Sequence, residues 1–378
     1  MFVHASRLMI VVTLLLAAAS LPAQSFREKA IEAAQRGETD VAIANYELAL
    51  HSALKVFKED DSEIITRRLE LGEAYRAGGK WDAAIGQLEY VWKRTRYDAE
   101  QKNEWKGEAG RLAYGSAEKL GRCLQGKAQY ADAAVVFATA ISDADRAGEE
   151  ATDVTTVEGL LADTLLLLDH VSEADRVIER SAERIEKRNA NNPEARARLF
   201  STLATIYYHH KHYAKALPYA EKAHYIASTG LPPGDPVIAG VLSNLGSILL
   251  HKNDRLDEAV QRLKEAEEIY LKNFTPESPE LMSIQLNLSQ AESLRGQHQA
   301  AEKYALEALR VCRLNFANDS VETGKCLHNL ASCYVSLKQP GKAGDLYGLA
   351  LANFEKGLGH DHPQTKETRA LMESLQPK

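Results

Sequence analysis

The feature that most constrains this chain is an internal period of about 42 residues. An anchoring alanine recurs at Ala42, Ala84, Ala133, Ala174, Ala216, Ala259, Ala301 and Ala343, in steps of 42, 49, 41, 42, 43, 42 and 42. Thirteen residues ahead of most anchors stands a leucine followed by a small residue: Leu71-Gly72, Leu120-Gly121, Leu161-Ala162, Leu203-Ala204, Leu245-Gly246, Leu288-Ser289 and Leu330-Ala331. A length of 378 residues would ordinarily suggest two or three domains. A fixed period overrides that prior, because each unit must bury its apolar face against the next.

Each unit reads as two helices. The small residue of the first helix lets the second approach closely, Ala84, Ala133 and Ala216 reciprocate, and apolar residues three and four apart form one buried stripe per helix. Short turns separate the two, as at Gly78-Gly79-Lys80, Gly126-Lys127, Arg295-Gly296-Gln297 and Gln339-Pro340-Gly341. First helices open on a capping side chain before proline at Asn192-Pro193, Asp235-Pro236, Ser278-Pro279 and His362-Pro363, with Ser320-Val321 keeping the cap alone. The period therefore predicts an all-α, right-handed superhelical solenoid of about eight helix pairs over residues 24–362. Residues 363–378 supply a capping helix and tail, with Leu371, Met372 and Leu375 on one face.

The pattern Leu71-Gly72, Tyr75, Trp81, Ala84, Leu88 and its copy Leu203-Ala204, Tyr207, Tyr213, Ala216, Ala223 resembles the tetratricopeptide repeat (TPR). The unit is longer than that family's usual one, with the extra length in the second helix and in a proline-bearing loop. The loops Pro233-Gly234-Asp235-Pro236, Pro276-Glu277-Ser278-Pro279 and Gly359-His360-Asp361-His362-Pro363 are similar to those of kinesin-light-chain-type repeats. The resemblance implies a concave face lined by first helices and a protein or peptide as partner, with the chain itself a monomer or weak oligomer.

The N-terminal segment reads as a signal for export. Arg7 supplies a positive start, Leu8–Leu21 is an apolar run, and Leu21-Pro22-Ala23 ends in a small residue, which predicts cleavage after Ala23. The run falls short of the roughly 20 residues that span a bilayer, so retention as an anchor is the alternative. The expected mature protein is periplasmic or secreted, with no membrane span. The whole chain carries 46 Lys+Arg against 53 Asp+Glu, a balance that speaks against nucleic acid as a partner.

Candidate binding residues lie on the first helices. Asn244, Asn287 and Asn329 immediately precede the Leu-small pair in three successive repeats, where earlier repeats carry Glu70, Lys119, Leu160 and Thr202. An amide both donates and accepts, so a column of them can hold an extended backbone whatever its side chains. Kinesin-light-chain-type repeats are similar in carrying such Asn residues in their groove. Ser247, His251, Gln290, Ser332 and Ser336 flank the column. The three Asn are expected to serve a ligand and leave the free fold unaffected, or else to bond within their own repeats.

Other chemistry is sparse. Tyr207-Tyr208-His209-His210-Lys211-His212-Tyr213 is the only histidine cluster, but Tyr207 and Tyr213 hold recurring repeat positions and no carboxylate or cysteine lies nearby. No metal or cofactor is expected there; a small polar ligand near His209 is the alternative use. No phosphate loop, His-Glu-x-x-His or nucleophile elbow occurs, so no catalytic residues are assigned. Cys312 and Cys326 fall at helix ends that must approach, which makes them the candidate disulfide. The leading expectation is a non-enzymatic scaffold with a peptide in its groove; a structural factor gripping a folded partner by its outer surfaces is the alternative.

Overall fold

The computed structural model describes residues 23–147 and 154–375, and the expected signal segment 1–22 lies outside the described residues. The chain divides into two compact units, Met1–Ser181 and Ala182–Lys378. The first holds α1 (23–35), α2 (Thr39–Ala53), α3 (Ser62–Ala77), α4 (Trp81–Lys102), α5 (Glu108–Gly126), α6 (Tyr130–Ala147) and α7 (Thr155–Leu167). The division falls inside α8 (Val171–Arg188). The second unit continues with α9 (Pro193–His209), α10 (Tyr213–Gly230), α11 (Pro236–Leu249), α12 (Leu256–Asn273), α13 (Pro279–Leu294), α14 (His298–Asn315), α15 (Val321–Ser336), α16 (Pro340–Leu358) and α17 (Pro363–Ser374). All regular structure among the described residues is helical: eight helix pairs and then α17, as the period predicts, with neighbouring pairs stacked within each unit as in an all-α solenoid.

Local chemistry sets the helix starts. Asn192 accepts from Ala195 N at 3.0 Å, Asp235 from Val237 N at 2.8 Å, Ser320 from Thr323 N at 3.1 Å and His362 Nδ1 from Gln364 N at 3.2 Å. Ser278 departs from the expectation, since its hydroxyl donates to Glu280 instead of capping the backbone.

Packing uses the small residues as anticipated. A side-chain carbon at Gly246 would sit 2.6 Å from Leu263 Cγ, so glycine is what lets α11 and α12 close on one another. The anchor alanines Ala84, Ala133, Ala216, Ala259, Ala301 and Ala343 are all fully buried. Ala23, where cleavage is expected, packs with Leu50, Ala53, Ile64 and Leu71. At the other end α17 lays Leu371, Met372 and Leu375 against Ala331, Ala343 and Tyr347. Within the second unit α9, α11, α13 and α15 each touch the next first helix directly, forming one continuous wall.

Candidate binding surface

Side chains one repeat apart bridge consecutive first helices. In the first unit Arg27 Nε on α1 donates to Glu70 on α3 at 2.8 Å, Lys119 Nζ on α5 lies 3.5 Å from Glu73 on α3, and Gln125 on α5 donates to Thr164 on α7 at 2.8 Å. In the second unit Asn244 Nδ2 on α11 donates to Ser201 on α9 at 2.8 Å. Asn287 Nδ2 on α13 likewise donates to Ser247 on α11 at 2.6 Å, and Ser289 on α13 donates to Asn329 Oδ1 on α15 at 2.8 Å. The series ends at α17, where His328 Nδ1 on α15 lies 3.0 Å from Thr368 Oγ1. Because that hydroxyl already donates to Gln364 O, the imidazole N–H is the donor.

The Asn column therefore joins neighbouring repeats in the free fold, each amide reaching the preceding or following repeat and not its own as the alternative had it. One bridge still uses only part of an amide: Asn244 and Asn287 keep a carbonyl oxygen and one N–H, and Asn329 keeps its NH₂. Asn244 is exposed, and Asn287 and Asn329 are half-buried.

The flanking residues differ in what they have left. Gln290 is exposed and carries no hydrogen bond among the described residues. Ser247 accepts from Asn287 while donating to Ser243 O at 2.8 Å, and Ser336 bonds Ser332 O at 3.2 Å. Ser332 lies 3.1 Å from His328 O and 2.9 Å from the Tyr347 hydroxyl. Ser247, Ser332 and Ser336 are thus committed locally, Asn244 and Ser247 lie one turn apart on α11, and His251 stands just past its end.

His251 does not stand alone. Its ring stacks on Tyr213 with centroids 3.7 Å apart and planes 5° from parallel, and Tyr208 sits 5.7 Å from both His251 and Tyr213. Tyr208 also holds His209 edge-on at 5.7 Å. The histidine cluster thus straddles the α9–α10 turn, as the sequence implies, and gains His251 from the next repeat. Burial against these rings holds the His251 imidazole below the usual histidine range and raises the Tyr208 phenol. Among the described residues no three His, Cys, Asp or Glu converge as a metal site.

All four cysteines are free and buried. Cys312 Sγ lies 3.4 Å from Thr323 Oγ1, and Cys326 Sγ points to Ala308 O at 3.8 Å. Burial first, and then the neighbouring Cys312, push the Cys326 thiol up.

The first unit contains a different kind of concavity. A cavity of about 490 Å³ opens between α6 and α8 over α7, walled by Ala134, Val135, Ala138, Leu161, Leu165 and Val177, with His170, Glu173 and Arg176 among its lining. Sequence periodicity gave no sign of it, because its residues belong to three helices and two repeats. Among the described residues no helix is long and apolar enough to cross a membrane.

Comparison with known proteins bears on the repeats. The family profile described as Tetratricopeptide repeat matches residues 237–314, which cover most of α11 to α14. A curated relative, a clustered mitochondria protein homolog from Aspergillus clavatus, is 26% identical over 191 residues; the match covers 49% of this chain, and the chain spans only 14% of that relative's length. Among solved structures, BtubC (BKLC) from P. vanneervenii is 23% identical with a TM-score of 0.45, covering 54% of this chain and 80% of that one. A tetratricopeptide repeat protein from Parabacteroides merdae is 12% identical with a TM-score of 0.48, covering 82% of this chain and 98% of that one. The family profile places tetratricopeptide repeats on α11–α14, and the same helix-pair period runs from α1 to α17.

Proposed function

We propose that the chain is an exported, non-enzymatic scaffold that holds an extended segment of a partner polypeptide along α11, α13 and α15. Tetratricopeptide repeats build protein–protein interaction scaffolds, and stacked first helices offer a continuous wall for one. The observation that carries the finer reading is the open half of each bridging amide. Asn244, Asn287 and Asn329 recur at 43 and 42 residues, each oriented by one hydrogen bond and each with donors or acceptors to spare. A backbone laid across them meets prealigned amides, with Gln290 beside the path.

The test separates support of the fold from service to a ligand. Replacing the partners, Ser201→Ala, Ser247→Ala and Ser289→Ala, removes the bridges and leaves the amides. Replacing Asn244, Asn287 and Asn329 by Ala removes both. A peptide-array binder that tolerates the Ser set and loses several-fold affinity in the Asn set supports groove binding, whereas equal effects of the two sets assign the amides to structure. Export rests on Arg7, the apolar run and Ala23; N-terminal sequencing of the cell-free fraction should begin at Gln24.

One observation favours a second reading, the grip of a folded partner by the outer surface. The α6–α7–α8 cavity is open and apolar, and Val135 on its wall is 64% exposed. Val135→Asp abolishing capture of a partner that the Asn set leaves bound would favour it.

A further inference from the structure

The turn edge of the second unit carries chemistry that groove binding does not use. Tyr208 is its hub, touching His209 from its own helix, Tyr213 from α10 and His251 from the α11 end. His209, Lys211 and His251 are exposed, and His212 sits edge-on to Tyr207 at 6.3 Å. Lys252 follows His251, and among the described residues neither Lys211 nor Lys252 forms an ion pair. The rings fix the imidazoles in place, so little side-chain freedom remains to be lost on contact with a partner.

Acidic groups around this edge are few or already engaged. α10 opens there without an acid in its first turn. Glu221 and Glu258 are both held by Arg255, at 2.7 and 2.8 Å, and Asp257 by Arg295 at 2.8 Å, which leaves Asp254 as the acid beside Lys252. The groups packed on His251 are Tyr208 from α9 and Tyr213 from α10, and burial alone acts on its titration. On a chain whose overall charge is −7, this is a local site where positive charge grows as histidines protonate.

We propose that this ring-backed edge is a docking surface for an acidic polypeptide segment, held most tightly when His251, stacked on Tyr213, is protonated. A further cation at a surface already carrying Lys211 and Lys252 strengthens attraction to a row of carboxylates. The depressed His251 places that gain on the acidic side of the ordinary histidine range. The surface is independent of the Asn column and stands or falls separately from it.

The experiment uses the full chain and a dye-labelled oligo-aspartate, whose side chains stay ionised, read by fluorescence anisotropy at pH 5.5 and 7.5 and constant ionic strength. Binding should be about threefold tighter at the lower pH, the gain expected from one added charge at an exposed surface. His251→Gln should remove that gain while circular dichroism stays unchanged, and the Asn244, Asn287 and Asn329 alanine set should keep it. Equal affinity at both pH values, a gain that survives His251→Gln, or equal binding of an oligo-lysine overturns the proposal. So does capture of phosphatidylserine vesicles without capture of the peptide, which would assign the edge to membrane surfaces instead.

Discussion

The two units join their first helices at the same place in the repeat but with different chemistry. In the first unit the residue ahead of the Leu-small pair is charged in two repeats, and both are used: Glu70 receives Arg27, and Lys119 reaches Glu73. In the second unit the same position is Asn three times, and each amide exchanges one hydrogen bond with a serine of the adjoining repeat. An ion pair satisfies both partners and offers little to a neutral backbone. An amide bridged once is held in orientation and still has hydrogen-bonding capacity. What differs between the units is therefore less how neighbours are joined than what the joint leaves available.

The largest test breaks the neutral joints together. Asn244→Ala, Asn287→Ala and Asn329→Ala should destabilise the second unit by roughly 3–4 kcal/mol, about 1 kcal/mol for each hydrogen bond plus the penalty on buried serine hydroxyls left alone. Ser201, 6% exposed, bears that penalty most, whereas the fully buried Ser289 keeps Cys333 Sγ at 3.3 Å. Hydrogen exchange should quicken in α11, α13 and α15 and stay unchanged in α3 and α5. A uniform response in both units would mean that the joints do not act locally.

A covalent joint would sharpen the contrast further, since three of the four cysteines lie in the second unit. If Cys312 and Cys326 pair under oxidising conditions, the small enclosed loop gives up to about 3 kcal/mol, less any strain in the bond. The oxidised protein should then unfold at higher denaturant than the reduced one. Four alkylated thiols in the unfolded, unreduced protein would end the pairing. The lone Cys123 of the first unit, its thiol pushed up to about 11 by burial, should resist alkylation at pH 8 until the chain unfolds.

Why the Asn column was legible and its partners were not follows from register. Asn244, Asn287 and Asn329 each precede a Leu-small pair, so aligning repeats stacks them into view. Ser201 stands two residues before Leu203, Ser247 two after Leu245, and Ser289 one after Leu288. The three acceptor or donor positions thus occupy different places in the repeat, and only their separation of 40 to 43 residues from the Asn betrays them. The eight pairs, the buried alanines and four of the five capping residues were readable because period and local turn chemistry set them. His251 joining Tyr208 was half-visible, at a spacing of 43 residues that matches the repeat, but ring stacking depends on rotamers that no pattern encodes.

The joint to α17 adds a third kind, one that titrates. His328 is held below the usual histidine range, by burial first and against the opposing pull of Glu367, so the folded state favours its neutral form. A histidine whose folded value is depressed contributes stability at higher pH that is lost as pH falls through the histidine range. Exchange in α17 should therefore quicken between pH 7 and 5 beyond its intrinsic dependence, with α13 showing no such change. His328→Gln, which keeps a donor for Thr368, should flatten that response; a response that persists would place its origin elsewhere.

The smallest effect distinguishes the two units by salt. The Arg27–Glu70 pair has side chains 31% and 19% exposed, and Lys119–Glu73 has 35% and 32%, so solvent ions reach both. Raising salt from about 0.1 M to about 1 M shortens the screening length from roughly 10 Å to roughly 3 Å and should remove most of the few tenths of a kcal/mol that such pairs supply. Asn–Ser bridges carry no net charge, so the same change leaves them nearly as they were. Amides of α3 and α5 should exchange about twofold faster in high salt, from the same few tenths of a kcal/mol, while those of α11 and α13 hold their rates. Glu70→Gln should remove most of the salt response of α3, because the neutral amide can still accept from Arg27 but no longer attracts it over distance. If α11 and α13 respond to salt as strongly as α3 and α5, the two units are joined by the same forces, and the contrast between ionic and neutral joints fails.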